Sequence, residues 1–261
     1  MTTPVTILGP SGRMGQALIA AAAGRDDVRV AAALDRGDSP AQGKEVAPGV
    51  TVTALIDAAL AAAPVYIDFT MPAATQAVAA VARARRVAAV IGTTGLDAAT
   101  DDAISGLAEV APVVLAPNFS VGVNLVLGLV AQAARVLGPA WDAEIVELHH
   151  KAKRDAPSGT ALGLARAIAM ARGQDLAQVG RYSRDGEVGP RPAGEIGAVA
   201  VRGGDVVGEH TAYFFGAGER IEVSHRATDR GIFAHGALRA AAWVVGKKPG
   251  RYDMLDVLGM R

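Results

Sequence analysis

From Glu147 to Ala161 the chain reads Glu-Leu-His-His-Lys-Ala-Lys-Arg-Asp-Ala-Pro-Ser-Gly-Thr-Ala, which places two of its five histidines, three cations and a Ser-Gly-Thr turn within fifteen residues. An imidazole is the side chain whose charge changes near neutral pH. A helix start offers free backbone N–H groups and the positive end of a dipole to an anion, and glycine there lets a ligand approach the backbone. His149, His150, Lys153, Ser158, Gly159 and Thr160 therefore combine an anion cradle with groups able to deliver a proton. The plainer alternative makes Ser158 an ordinary helix cap and the cations a solvated loop. It gives no reason for two histidines beside an anion-ready helix start.

These residues need elements to hold them. The alternation of Trp141, Ala143 and Ile145, and the run Ile145 to Leu148, predict a strand that ends near the two histidines. Successive strand residues point to opposite faces, so the two imidazoles are not expected to do the same job. Pro157 keeps the residue before it out of the helical region. A helix is expected from about Ser158 to Ala171, with Leu162, Ala165, Ile168 and Ala169 on its apolar face.

The 261 residues suffice for one large or two modest domains. Acidic and basic residues balance at 26 each, which gives no reason to expect a nucleic-acid or membrane-surface partner. The absence of cysteine removes disulfides, thiolate metal sites and cysteine nucleophiles, and agrees with a reducing cytoplasm. The beginning of the chain has no signal-peptide pattern. Residues 110–134 carry no charge, but Pro112, Pro117, Asn118, Ser120, Asn124 and Gln132 interrupt them, so strand, turn and helix are expected there in place of a membrane span. No histidine spacing points to a metal, and His210, His225 and His235 are expected to be structural.

Val5 to Leu8 predicts a strand, followed directly by Gly-Pro-Ser-Gly-Arg-Met-Gly at 9–15, a helix to about Ala23, a strand from Val28 to Leu34, and then Asp35-Arg36. Strand, glycine turn, helix, strand and an acid about 20 residues on is the layout of a dinucleotide-binding unit. The spacing is G-x-x-G-x-x-G in place of the commoner G-x-G-x-x-G. Gly9 permits the turn, Gly12 opens the helix toward a pyrophosphate, and Gly15 allows helix and strand to pack closely. Pro10 lacks an N–H, leaving the phosphates to the groups around Ser11 to Arg13. Asp35 suits the ribose hydroxyls of NADH, whereas Arg36 and Arg13 suit the 2′-phosphate of NADPH, so either cofactor is expected. A doubly wound domain whose glycine turn has no cofactor role is the alternative.

The alternation continues with strands at 65–69, 87–91 and 113–116 and helices at 72–85 and 97–110, predicting a parallel sheet with crossover helices. Asp68-Phe-Thr70, Gly92-Thr-Thr-Gly95 and Ala116-Pro-Asn-Phe-Ser120 follow the strands' C-terminal ends, where such sheets bind ligands. A helix over 121–137 then leads to the histidine strand. After a long loop over 173–194, three strand-like runs at 196–202, 209–215 and 221–226 predict a mixed or antiparallel sheet. The fold expected is α/β: a Rossmann-type dinucleotide-binding domain (1–118 and 231–261) with an inserted α+β domain (119–230). A helix over 231–245 returns to the first domain.

Together, Gly-Pro-Ser-Gly-Arg-Met-Gly15, Ile67-Asp-Phe-Thr70, Gly92-Thr-Thr-Gly95, Asn118-Phe-Ser-Val-Gly122, the segment His149 to Ala161 and Gly208-Glu-His-Thr211 resemble the dihydrodipicolinate reductases over nearly the whole chain. The resemblance implies a step of the diaminopimelate route to lysine: NADH or NADPH gives a hydride to a cyclic unsaturated imine dicarboxylate, water is lost from the hydroxylated precursor, and tetrahydrodipicolinate results. It implies His149 as proton donor or acceptor, Lys153 as second proton donor, and His150, Gly159 and Thr160 as substrate ligands. It also implies Gly9, Pro10, Ser11, Gly12, Arg13, Met14, Asp35, Arg36, Gly92, Thr93, Thr94, Ala116, Pro117, Asn118 and Phe119 as cofactor contacts, a homotetramer joined through the second domain's sheets, and a hinge closing over the substrate. Pro10, Asp35 and Arg154 depart from the usual pattern, the first two where cofactor preference is set. The rivals are a nucleotide-sensing binding protein and a different NAD(P)-dependent dehydrogenase of small amino or keto acids.

Overall fold

The computed structural model describes residues 2–261. The chain divides into two compact units, one made of residues up to Val121 together with Gly231–Arg261, the other of Gly122–Arg230.

The first unit opens with β1 (Thr3–Leu8), α1 (Arg13–Ala23), β2 (Val28–Leu34), β3 (Glu45–Ala47), β4 (Val50–Thr53), α2 (Ile56–Ala61), β5 (Val65–Asp68), α3 (Pro72–Arg85), β6 (Ala88–Ile91), α4 (Ala98–Ala108) and β7 (Pro112–Leu115). Its strands line up as β13-β7-β6-β5-β1-β2-β4-β3, where β13 (Gly250–Tyr252) comes from the chain's end. All pairs are parallel except β3 with β4. Every residue of β5 and β6 is buried, as parallel strands covered on both faces require. Leu18 and Ala22 of α1 pack with Val5, Ile7, Ile67 and Val90 on one face. Val78, Ala79, Ile104 and Leu107 of α3 and α4 pack with Leu8, Tyr66 and Ile91 on the other.

Local chemistry sets the helix limits. Pro72 stands at the first position of α3, where its missing N–H costs nothing, and Asp97 caps α4 by accepting from the Thr100 N–H at 2.8 Å. The sequence reading missed β3, β4, α2 and β13. Each is at most six residues long, too short to display a period.

The second unit contains α5 (Val121–Leu137, whose first residue belongs to the first unit), β8 (Asp142–His149), α6 (Gly159–Ala171), α7 (Leu176–Val179), β9 (Gly180–Arg181), β10 (Ile196–Arg202), β11 (Gly208–Phe215) and β12 (Arg220–Ala227). The uncharged stretch accordingly parses as β7, a turn and the start of α5. Among the described residues no helix is long and apolar enough to cross a membrane. The strand order is β12-β11-β8-β10-β9, with β10 parallel and β11 antiparallel to β8, a mixed sheet. The long loop over 173–194 holds α7 and β9. Ile145, Ala198 and Phe214 pack under Val126 and Val130 of α5 and Leu164 and Ile168 of α6. Ala165, Ile168 and Ala169 lie on the buried face of α6 as expected, joined by Ala161 and Leu164, whereas Leu162 does not belong to it. After β12 the chain returns to the first unit as α8 (Gly231–Val244), β13 and α9 (Met254–Val257).

Along β8 burial alternates strictly, with Ala143, Ile145, Glu147 and His149 inside. The face that carries Ala143 and Ile145 into the core thus carries a carboxylate and an imidazole on along the same side.

Candidate active site

In the second unit the site is built around Glu147, which is fully buried. Both terminal guanidinium nitrogens of Arg202 donate to it, Nη2 to Oε1 at 2.8 Å and Nη1 to Oε2 at 2.9 Å. The Ser158 N–H donates to Oε1 at 3.0 Å, and His149 Nδ1 hydrogen-bonds Oε2. Burial pushes the Glu147 carboxyl up, but the bonds from Arg202, His149 and Ser158 outweigh it and hold the group below the ordinary glutamate value. His149 lies against His210, ring centroids 5.1 Å apart and edge to face. His210 Nε2 is 3.0 Å from Ser158 Oγ, which also accepts from the Ala161 N–H at 3.2 Å and so caps α6.

His150 sits beyond the strand, half-buried, with its N–H given to the Val206 carbonyl at 2.8 Å. Lys153 is half-buried with Nζ 2.8 Å from Asp155 Oδ1. Gly159 is exposed, and a Cβ there would meet nothing within 4 Å. Ser158 is buried, its N–H and Oγ both committed inside the protein. Of the cradle expected over Ser158–Thr160, the Ser158 groups are thus spent on Glu147, His210 and the cap of α6.

In the first unit β1 lies between β2 and β5, the point where strand order reverses and doubly wound sheets bind ligands. Gly9 has φ +62°, and a Cβ on it would come 2.9 Å from Thr70 Cγ2, so the turns after β1 and β5 touch. A Cβ on Gly15 would lie 2.1 Å from the Gly9 carbonyl oxygen. That close packing aims the first turn of α1, whose N–H groups at Arg13, Met14 and Gly15 have no intrahelical acceptors. The Gly12 N–H is spent on the Gly9 carbonyl at 3.0 Å. At the end of β2 the Asp35 carboxylate accepts from Ser11 Oγ at 2.6 Å, the Arg36 N–H at 2.9 Å and Ser39 Oγ at 3.0 Å. Burial raises its pKa and these donors lower it by more, leaving it below the usual aspartate range. A glycine-tight cradle with free first-turn donors and a nearby ionised acid fits a dinucleotide.

Two profiles of one family cover this chain almost from end to end: dihydrodipicolinate reductase, N-terminus, matches residues 3–119, and dihydrodipicolinate reductase, C-terminus, matches residues 122–258. The chain belongs to the dihydrodipicolinate reductase family. It is 51% identical over 267 residues to the 4-hydroxy-tetrahydrodipicolinate reductase of Thiobacillus denitrificans and 49% identical over 267 residues to that of Alkalilimnicola ehrlichii, all of both chains being covered in each case. A solved dipicolinate-bound dihydrodipicolinate reductase from a Paenisporosarcina species superposes with a TM-score of 0.81 at 26% identity, covering 98% of this chain and 99% of that one.

Within this reductase fold the expected cofactor contacts divide by exposure. Ser11, Gly12, Arg13, Arg36, Thr94 and Pro117 are exposed, and Gly9, Met14, Asp35, Gly92 and Asn118 half-buried. Pro10, Thr93, Ala116 and Phe119 are buried. Thr93 Oγ1 lies 2.9 Å from Thr75 Oγ1 and 3.3 Å from the buried Asp68 carboxylate. Phe119 packs edge-on against Phe69, which in turn fills the space a side chain on Gly92 would need. The side chains of Thr93 and Phe119 therefore shape the turns, and only their backbones remain to meet a ligand.

Sequence reasoning gave no role to Glu147 or Arg202 and assigned His210 to structure alone, yet all three surround His149. The signal for Glu147 was present: two residues before His149 on a strand is the same face. Burial and the nearby His149 hold His210 down at about 4, so folding favours its neutral form. That stabilisation is complete above the unfolded value of 6.5 and is lost as pH falls from there toward 4. Unfolding free energy should drop by about 1.4 kcal/mol per pH unit across this window, as read by urea denaturation, and His210→Gln should flatten the slope. An unchanged slope in the variant would show that His210 does not carry the effect.

Proposed function

We propose that the chain reduces 4-hydroxy-tetrahydrodipicolinate to tetrahydrodipicolinate with loss of water, using NADPH or NADH, in the diaminopimelate route to lysine. The observation that carries this reading is the His149, Lys153 and Gly159 constellation, set on one strand end, loop and helix start in a chain about half identical over full length to reductases of that name.

The nicotinamide, when bound, supplies the hydride. Glycines 9, 12 and 15 and the first turn of α1 would hold the pyrophosphate, and Asp35 would receive the ribose hydroxyls. In the second unit the N–H groups of Gly159 and Thr160, His150 and Lys153 receive the substrate's carboxylates. Lys153 Nζ is already paired with Asp155, so a bound carboxylate takes over a cation held ready beside it. A conjugated imine that accepts a hydride becomes an electron-rich enamine and must be protonated, which is the part of His149, with Lys153 as second donor. The exposed apolar residues Val199, Val201 and Phe215, which share the face of the second unit's sheet opposite its core, support assembly of a homotetramer through that sheet. The biosynthetic step and the cysteine-free composition suit the cytoplasm.

The direct test follows NADPH absorbance on adding freshly synthesised substrate; oxidation that depends on the substrate is expected, and none would rule the reaction out. For cofactor choice, the Arg36 side chain is 74% exposed, with its Nε 3.1 Å from Asp38 Oδ1. Arg36→Ala should cost about tenfold in kcat/KM with NADPH and leave NADH unchanged, since a charge-assisted bond contributes roughly 1.5–3 kcal/mol. Equal losses with both cofactors would mean that Arg36 does not read the 2′-phosphate.

A further inference from the structure

We infer that Glu147, clamped by Arg202, is the positioning residue of His149: it fixes the imidazole with its hydrogen on Nδ1 and leaves Nε2 as the atom that exchanges a proton. The inference rests on the proposed role of His149 in proton transfer and names the device that sets it.

Three pieces of backbone register make the clamp. Glu147 and His149 share the inner face of β8. Arg202 is the β10 residue in register with His149, so its side chain rises beside them. The start of α6 delivers the Ser158 N–H to the same carboxylate. Each Glu147 oxygen then has two contacts, Oε1 with Arg202 Nη2 and the Ser158 N–H, Oε2 with Arg202 Nη1 and His149 Nδ1. An ionised carboxylate only accepts, so Nδ1 must donate. The other ring nitrogen faces Gly208, where a Cβ would stand 2.9 Å from it. Among the described residues no hydrogen bond is made to that nitrogen, and glycine at 208 keeps its approach clear.

The charges around the ring also balance. On its own strand stands Glu147, and Arg202 answers it from β10. From the following loop come Lys153 and Asp155, which pair with each other. β11 presents His210, and β12 presents His225 in register behind it; burial lowers His225 below its ordinary value. The carboxylate therefore orients the ring while Arg202 offsets its field. Removing either partner tips that balance, in opposite directions.

The pH dependence of kcat/KM in the full-length enzyme tests this. His149→Asn should abolish one limb of the profile, which identifies that limb with His149. Glu147→Gln, which leaves an unopposed guanidinium, should move the same limb to lower pH by about one unit. Arg202→Met, which leaves an unopposed carboxylate, should move it up by about one unit, and Arg202→Lys should move it less, with the KM for NADPH unchanged in all three. Lower kcat with the limb in place, or shifts of one sign in both variants, would reduce Glu147 and Arg202 to structural supports and overturn the inference, while the reductase reading stands. A fully active His149→Asn with an intact profile would overturn both. Should the variants not fold, the 15N spectrum of labelled histidine in the unaltered protein decides: a hydrogen on Nδ1 of neutral His149 is expected, and one on Nε2 refutes the assignment.

Discussion

Replacing Lys153 with alanine should lower turnover by about a hundredfold or more while NADPH binds as tightly as before. Lys153 lies in the loop between β8 and α6, half-buried, with its ammonium held 2.8 Å from Asp155 and its own N–H bonded to the His150 carbonyl at 3.1 Å. Its position is thus set from two sides. The glycine cradle is built from residues of the first unit and Lys153 belongs to the second, so fluorescence titration with NADPH should return the unaltered dissociation constant. The loss should appear in kcat as well as in kcat/KM, the pattern of an interaction made in the transition state. A nucleotide sensor has no need of this lysine, and unaltered turnover would remove Lys153 from the chemical step.

Gly15→Ala should have a comparable effect on the other half of the reaction. A Cβ at this position would fall 2.1 Å from the Gly9 carbonyl oxygen and 2.6 Å from the Pro10 Cα. Both obstacles are backbone, in the turn that presents the first N–H groups of α1. Overpacking of this kind costs about 1–3 kcal/mol, and relief requires the turn itself to move. NADPH affinity should fall at least about tenfold, equivalent to about 1.4 kcal/mol, and the melting temperature should drop. Gly24→Ala is the control: its position at the end of α1 has nothing within 4 Å of an added Cβ, so binding and melting should stay as they are. Equal affinity in Gly15→Ala would mean that the turn does not hold the pyrophosphate.

Much of this was legible because some physical demands are local. Gly9 and Gly15 sit at fixed offsets within a strand-turn-helix, and both the positive φ of Gly9 and the close approach of Gly15 to Gly9 and Pro10 arise within seven residues of chain. The runs of β5 and β6 are apolar because both faces of the sheet are covered, and that shows in sequence. Shorter elements such as β3, β4 and α2 have no room for a period, and their stability comes from neighbours. Partnerships across long separations were hidden for a different reason. Arg202 stands 55 residues after Glu147, and only the parallel register of β10 on β8 brings them together. His210 reaches His149 through the antiparallel register of β11. Thr93 and Phe119 looked like ligand contacts because they follow strand ends, but sequence position does not reveal which way a side chain turns, and both turn inward. Ser158 likewise stands at the anion-ready helix start, where a buried carboxylate claims its N–H.

The most direct measurement is the fate of the transferred hydrogen. With NADPH deuterated at the transferring position of its nicotinamide, in ordinary water, the tetrahydrodipicolinate formed should be one mass unit heavier than with unlabelled cofactor. Cofactor oxidised at full rate with an unlabelled product, the deuterium having gone to solvent, would show that no hydride passes from the dinucleotide cradle to this substrate.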